Sequence, residues 1–331
     1  MKRLFVLMVL GIGFLFSVAA SAEVIVDTAF VADAAKRGAI IWDVRNAEDY
    51  KKGHIPGALN IGDIGATLRY EHSEDYLPTP QIEKILGGAG IDPMKEIVVY
   101  GDKGSPFTYF GLFTVEYFGG SNGRVYHGGI DDWKAAGREV STEQANPAPV
   151  ALKLVPNPAV MATTEEVVAK VGASVQIVDA RTAREFSGED VRAIRGGHVP
   201  GAVNIPYELN WADPATPQKL AKKEVANKDG MGLKARDQLK QLYAKLDPNK
   251  ETIVYCQSGV RASETAVVLK DLGFNKVKVY DSSWLGYANT LSTPVEDVSF
   301  FNVGQMNGKL ATMQRRVEGL EKALMEMKAS K

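Results

Sequence analysis

Short apolar runs rich in β-branched residues recur along this chain and alternate with segments of helical periodicity. Each run is at most six residues long, and four of them lie at residues 40–44, 97–100, 175–180 and 253–255. An apolar helix face lies between the last two runs, at Leu239, Leu242, Tyr243 and Leu246. Strands that alternate with helices are typical of strand–helix units on a parallel sheet. The pattern therefore predicts an α/β fold.

Two sequence features occur twice, in the same order. The first is an apolar run that ends in Asp-x-Arg, at residues 43–45 and again at 179–181. The second is the segment Gly-His-x-Pro-Gly-Ala, at residues 53–58 and 197–202, and each copy continues to an apolar run that ends in tyrosine. Duplication of one unit is the simplest explanation. We predict two tandem domains, each a small parallel sheet flanked by helices.

Prolines separate the two copies at Pro147, Pro149, Pro156 and Pro158. Because proline disfavours both helix interiors and central strands, this stretch is predicted to be a linker. We expect a first domain over residues 23–140, a linker over residues 141–158 and a second domain over residues 159–300.

The last segment, residues 301–331, belongs to neither copy. Its apolar residues are spaced 3, 4, 3, 4, 3, at Leu310, Met313, Val317, Leu320, Leu324 and Met327. This is the a/d pattern of a coiled coil, and Arg316 and Glu321 fall at its g and e positions. We predict an amphipathic helix that joins a homo-oligomer through residues 305–330. The alternatives are that it packs on its own domain or on another protein.

Residues 1–22 have the pattern of a secretory signal, with Lys2 and Arg3, an apolar stretch over residues 4–16, and Ala20-Ser21-Ala22 as a cleavage site. An uncleaved anchor is the alternative, but about 20 apolar residues are needed to cross a bilayer, and glycines interrupt this shorter run. We expect an exported protein, in the bacterial periplasm, without stable membrane insertion.

The charge is balanced, with 39 basic and 40 acidic residues and a net charge of −1. No global field favours nucleic acid, so no nucleic-acid partner is expected. The sequence has one cysteine, Cys256, and hence no pair for a disulfide within the chain. A lone cysteine is either a small buried hydrophobe or a reactive thiol, and the neighbouring residues distinguish the two.

Cys256 directly follows an apolar run and precedes a segment, residues 260–270, that is predicted to be a helix. Ligands of open α/β sheets bind at such strand ends. The N–H groups of a tight loop and the helix dipole both attract anions there, and Arg261 adds a full positive charge. All three favour the thiolate, which is the nucleophilic form of cysteine. Cys256 is therefore a candidate nucleophile.

The segment Cys256-Gln257-Ser258-Gly259-Val260-Arg261 resembles the active-site loop of the rhodanese superfamily, and residues 179–181 and 197–202 resemble its upstream signature. The stretch around Trp284 and residues 293–296 also resembles the end of tandem-domain thiosulfate and mercaptopyruvate sulfurtransferases. The resemblance covers residues 25–296.

This resemblance implies that Cys256 takes sulfur from a small donor such as thiosulfate and passes it to a thiol or cyanide. It implies that Arg261 activates the thiolate and binds the anionic end of the donor, with Arg184 or Arg195 as further candidates for donor binding. It also implies that Gln257, Ser258, Gly259 and Val260 form the binding loop. Trp284 either packs or lines the site. No metal or organic cofactor is implied.

Four residues separate Cys256 from Arg261, whereas related phosphatases have five, so phosphatase or arsenate-reductase chemistry is disfavoured. Gln257 matches neither the thiosulfate-specific nor the mercaptopyruvate-specific loops, so 3-mercaptopyruvate remains an alternative donor. Moreover, Glu185 stands where many tandem members carry an arginine. A second function class stays open, namely a sulfur-carrier or docking protein held to a partner by its coiled coil.

The first domain has Gly101-Asp102 where the second has its thiol, so it is predicted to be catalytically inactive. His54 and His198 occur in both copies and are predicted to be structural. Asp43 and Asp179 are expected to fix the following loop through Arg45 and Arg181.

Overall fold

The computed structural model describes residues 23–329, so the predicted signal segment lies outside the described residues. The first domain contains six helices and four strands: α1 (Thr28–Lys36), β1 (Ile40–Asp43), α2 (Ala47–Lys52), β2 (Leu59–Asn60), α3 (Ile64–Thr67), α4 (Thr79–Gly88), β3 (Ile97–Tyr100), α5 (Pro106–Tyr117), β4 (Gly123–Tyr126) and α6 (Gly129–Ala135). Its strands form a parallel sheet in the order β2-β1-β3-β4. The strands carry nearly continuous apolar runs because helices cover both faces of such a sheet.

The second domain repeats this plan with an added edge strand and a longer insertion. Its elements are β5 (Met161–Ala162), α7 (Thr164–Lys170), β6 (Gln176–Asp179), α8 (Ala183–Phe186), β7 (Arg195–His198), β8 (Val203–Asn204), a 3₁₀ turn (Tyr207–Asn210), α9 (Thr216–Ala221), a second 3₁₀ turn (Asp229–Met231), α10 (Arg236–Leu242), β9 (Thr252–Tyr255), α11 (Val260–Asp271), β10 (Val277–Tyr280), α12 (Ser283–Asn289) and β11 (Glu296–Phe300).

The second sheet has the order β5-β10-β9-β6-β8, and all its strand pairs are parallel. In the first domain Ile25 makes an isolated parallel bridge to Val125, at the place that β5 takes beside β10. The two sheets therefore share one topology, and the predicted α/β fold with two tandem units is confirmed.

The helix that follows the central strand of each domain packs against its counterpart across the domain interface. These helices are α5 and α11, and most of their residues are buried. Tyr109 and Leu112 of α5 cluster with Val267 of α11, and Lys270 pairs with Glu116 at 2.5 Å. Because α11 begins just after Cys256, the interface fixes the helix that supports the site.

The stretch predicted to be a linker lies along the first domain. The backbone of Ser141 exchanges two hydrogen bonds with that of His54, at 2.9 and 2.8 Å. Further along, the N–H of Val150 donates to the carbonyl of Gly87 at 2.9 Å. The proline-rich segment is thus held by backbone hydrogen bonds although it has no regular secondary structure.

The C-terminal region holds two further features. β11 pairs with β7 in an antiparallel ribbon, which the apolar pattern did not predict. The last helix, α13 (Val303–Ala329), confirms the predicted tail helix, and its residues are exposed along its whole length. No helix within residues 23–329 is long and apolar enough to cross a membrane.

Candidate active site

Cys256 lies at the carboxyl end of β9, the central strand of the second sheet, and its loop leads directly into α11. The cysteine is 1% exposed. Gly259 closes the loop with φ +82°, a left-handed conformation that favours glycine. A Cβ at this position would lie 2.3 Å from Oδ1 of Asp281. The loop therefore requires glycine for both its backbone conformation and its space.

The N-terminus of α12 braces this loop. The Ser283 hydroxyl oxygen accepts hydrogen bonds from the N–H groups of Cys256 and Gly259, both at 3.0 Å. The N–H groups of Trp284 and Leu285 donate to the carbonyls of Cys256 and Gln257, at 3.0 and 2.9 Å. The sequence reasoning missed Ser283, although its place just before Trp284 in the closing motif was the available signal.

Two amide groups of the loop keep their donors available. In the described part of the chain, the N–H groups of Gln257 and Ser258 donate no hydrogen bond. The first helical residues, Val260 and Arg261, lack intrahelical acceptors because they open α11. Free N–H groups at a helix N-terminus stabilise negative charge, so the loop is suited to an anionic sulfur.

Arg261 is engaged by a carboxylate rather than left free. Its Nη1 and Nη2 atoms donate to Oε2 and Oε1 of Glu185, both at 2.8 Å. Glu185 is 2% exposed and also accepts from Arg192 Nη1 at 3.1 Å and from the N–H and hydroxyl of Thr182. Burial alone would raise the pKa of Glu185, but the hydrogen bonds and charge of Arg261 lower it to about 2. Glu185 is thus an ionised residue of the site, whereas its sequence position marked it only as a departure from the family pattern.

Gln257 ties the loop to the segment before β7. Its Nε2 donates to the carbonyl of Arg192 at 2.9 Å. The backbone of Arg192 thus meets the loop, while its guanidinium contacts Glu185. Arg192, which the sequence pattern did not single out, therefore contacts both the loop and Glu185, whereas the side chain of Arg184 faces solvent.

Three predicted donor-binding residues have other contacts. Arg184 is 74% exposed, and its nearest charged partner is Glu189 at 3.6 Å. Arg195 is buried and donates to the carbonyls of Tyr287, Ala288 and Thr290 and to the Thr293 hydroxyl. Trp284 is buried, donates to the carbonyl of Arg195 at 3.0 Å and stacks on Arg181. Arg195 and Trp284 thus make packing contacts, which for Trp284 is one of the two roles expected, and the side chain of Arg184 faces solvent. Binding of the donor by Arg184 or Arg195 stays a prediction.

The paired histidines and aspartates have the structural roles predicted for them. His54 bonds to the carbonyls of Tyr50 and Glu143, and His198 bonds to that of Phe186. Arg45 pairs with Asp43 and also donates to the carbonyl of Gly53. In the second domain, Arg181 pairs with Asp179 and donates to the carbonyl of Gly197 in the same way.

Comparison with known proteins agrees with this geometry. The family model described as "Rhodanese-like domain" matches residues 28–136 and 163–290. A protein named thiosulfate sulfurtransferase from Corynebacterium glutamicum is 35% identical over 263 residues, which cover 75% of this chain and 81% of that protein. Another of the same name, from Azotobacter vinelandii, is 31% identical over 261 residues, covering 78% and 90%.

Among solved structures, the chain is similar to an anaerobic ergothioneine biosynthesis enzyme from Chlorobium limicola. The TM-score is 0.70 at 21% identity, and the match covers 83% of this chain and 70% of that one. At this identity the likeness concerns the fold. The two matched domains and the relatives above 30% identity establish that this chain belongs to the rhodanese-like family.

Proposed function

We propose that this protein is a sulfurtransferase that moves sulfane sulfur from thiosulfate to a thiophilic acceptor through a persulfide on Cys256. The observation that carries the proposal is a buried cysteine at a strand end, in a loop that offers free N–H groups at the start of α11. Thiosulfate is the proposed donor because two relatives at 31% and 35% identity are named thiosulfate sulfurtransferases.

The reaction has two steps. In the first, the Cys256 thiolate attacks the outer sulfur of thiosulfate, the S–S bond breaks, and its electron pair leaves with sulfite. Cys256 then carries a persulfide anion. In the second, the thiolate of an acceptor, or cyanide, attacks the terminal sulfur, and the electron pair of the broken S–S bond returns to Cys256. No change in the number of protons is needed when the acceptor is already a thiolate.

The chain's own groups stabilise charge in both steps. The N–H groups of Gln257 and Ser258 and the N-terminus of α11 act on the negative sulfur, in the manner of an oxyanion hole. Glu185 holds the guanidinium of Arg261 at the loop, where it helps to fix the loop's position and adds positive electrostatic potential. Ser283 keeps the N–H groups of Cys256 and Gly259 in place.

Steady-state kinetics distinguish the enzyme from the alternatives. The enzyme should release sulfite from thiosulfate with multiple turnovers in the presence of cyanide or a thiol, and Cys256→Ser should abolish this release. Preference for 3-mercaptopyruvate would replace the donor but keep the mechanism. A single turnover without further release would favour a carrier or docking protein.

Two further proposals concern location and assembly. Residues 1–22 support export to the periplasm. Self-association through α13 is supported by its exposed apolar seam, at Leu310, Met313, Val317, Leu320 and Leu324. Arg316 and Glu321 fall at g and e positions, so two parallel copies pair opposite charges across that seam.

A further inference from the structure

The first domain has a loop in the position of the Cys256 loop, and a side chain of the second domain fills it. Residues 101–105 lie between β3 and α5, as residues 256–259 lie between β9 and α11. Gly104 has φ +74°, close to the +82° of Gly259. A Cβ at Gly104 would be 2.7 Å from Cε and 2.8 Å from Cβ of Met231. Met231 therefore occupies the space against which this loop closes.

The backbone of Met231 is also held by the first domain. Nε2 of His127 lies 2.8 Å from the Met231 carbonyl, and Nδ1 lies 2.8 Å from the Tyr109 hydroxyl. Burial lowers the pKa of His127 to about 4, so the ring is neutral near pH 7. Because a carbonyl only accepts, Nε2 carries the proton and Nδ1 accepts from Tyr109.

Ion pairs extend the contact along the residues that precede Met231. Lys103 of the loop, which is largely buried, lies 3.4 Å from Asp229. With the charges reversed between the domains, Lys228 of the second domain lies 3.2 Å from Asp131 and 3.6 Å from Asp102 of the first. Each domain contributes both signs, so the charges define one register for the segment 228–231.

The docked segment continues into a hairpin-like pairing within the second domain. The N–H groups of Ala212 and Asp213 donate to the carbonyls of Gly232 and Gly230, both at 2.8 Å. These bonds tie residues 212 and 213 directly to the docked segment, and the 3₁₀ turn Tyr207–Asn210 precedes them in the chain.

Residues 207–211 contact two elements that lie beside Cys256, namely α11 and the end of β6. Trp211 Nε1 donates to Oε1 of the buried Glu264, on α11, at 2.9 Å. The N–H of Tyr207 donates to the carbonyl of Ala180 at 3.1 Å, beside the end of β6. Tyr207 and Leu209 of this turn pack against the buried hydrophobic cluster that contains Cys256. The 3₁₀ turn thus forms a wall near the thiol.

We propose that the cysteine-less loop of the first domain has become a docking site for Met231, and that this contact positions the 3₁₀ turn Tyr207–Asn210 beside Cys256. Met231 and Gly104 are then positioning residues for sulfur loading. The kinetic part of this inference rests on the proposed function, whereas the docking part does not.

The test uses two paired substitutions in the full chain. Gly104→Ala pushes a methyl group into Met231, and Gly57→Ala is its control, since Gly57 has φ +76° but no atom within 4 Å of the place that a methyl group would take. Met231→Ser removes the docked side chain, and Met231→Leu retains an apolar side chain of similar volume. Amide hydrogen exchange over residues 207–213 and the KM and kcat for thiosulfate are measured in each.

We expect Gly104→Ala and Met231→Ser to speed exchange over residues 207–213 by about tenfold and to raise KM several-fold with a smaller change in kcat. The two control variants should stay close to wild type. The docking site is overturned if exchange over residues 207–213 is equally fast in Gly104→Ala and Gly57→Ala and is not increased in Met231→Ser. Faster exchange with unchanged KM and kcat overturns the positioning role. Absence of wild-type turnover contradicts the proposed function instead, and the exchange data still decide the docking.

Discussion

At the scale of single residues, Glu185 organises the charges around the active loop. It receives five hydrogen bonds, from Arg261, Arg192 and Thr182. The sequence does not display this role because Arg261 lies 76 residues further along the chain. A local signal did exist: Thr182 and Glu185 form a capping box, and this turns Glu185 inwards while Arg184 faces solvent.

Removing both partners of the Arg261–Glu185 pair should cost less than the sum of the costs of removing each one alone. Arg261→Leu leaves a buried carboxylate short of two donors, so we expect a loss of about 3 kcal/mol in the free energy of unfolding. The double variant Arg261→Leu/Glu185→Gln should lose less than the sum of the single variants. Urea denaturation of all four proteins measures this coupling, and strict additivity would contradict the pairing.

Asp281 should make stability depend on pH. Burial raises its pKa from 3.8 to about 7, against the opposing charge of Arg69 at 3.6 Å, while Asp75 and Glu74 add to the increase. Since the folded state keeps the proton that the unfolded state loses, this contribution is complete below pH 3.8 and is lost as the pH rises to 7.

Relative to Asp281→Asn, the free energy of unfolding of the wild type should therefore fall by about 1.4 kcal/mol per pH unit between pH 5 and 7 and become level above pH 7. Urea denaturation of both proteins at a series of pH values provides the comparison. A difference that is constant across this range would show that Asp281 does not retain its proton in the fold.

At the scale of elements, regular apolar runs were predictable, whereas glycine-rich and long-range pairings were not. The runs that became β1, β3, β6 and β9 carry their own signal, because strands buried on both faces need apolar residues throughout. β7 consists of Arg-Gly-Gly-His, which has no apolar pattern, and it becomes a strand by pairing with β11 about a hundred residues away.

The brace between α12 and the active loop gives a prediction of its own. Ser283→Ala removes the shared acceptor of two buried N–H groups, so we expect a loss of about 1–3 kcal/mol in stability and roughly tenfold slower sulfur loading. Ser282→Ala is the control, since that hydroxyl donates to Asp75 of the first domain at 2.7 Å. Loading rates from quenched-flow mass measurements should separate the two variants; equal rates would argue against the brace.

At the scale of the whole molecule, the duplication was visible in the sequence but the packing of its halves was not. Repeated Asp-x-Arg and Gly-His-x-Pro-Gly-Ala segments predicted two domains of one fold. Nothing in the pattern indicated that α5 would pack on α11, or that Met231 would fill the loop at Gly104. The first contact depends on how the two domains pack together, and the second on how the insertion of the second domain folds over the first.

The tail should control assembly without affecting chemistry. Leu320→Glu places a charge in the apolar seam of α13, so we expect a lower oligomer mass by light scattering at micromolar concentration. Lys322→Glu introduces the same residue at an f position on the opposite side of the helix, and it should leave the mass unchanged. Sulfur transfer should survive both. A monomeric wild type would rule out self-association through this helix.

Formation of a persulfide on Cys256 is the central claim, and the intact mass of the protein before and after incubation with thiosulfate tests it most directly. We expect a gain of one sulfur atom, located by peptide mapping to the segment that contains Cys256, and its loss on addition of cyanide. Cys256→Ser should gain nothing. An unchanged wild-type mass with thiosulfate and with 3-mercaptopyruvate, or an equal gain in Cys256→Ser, would contradict the persulfide mechanism.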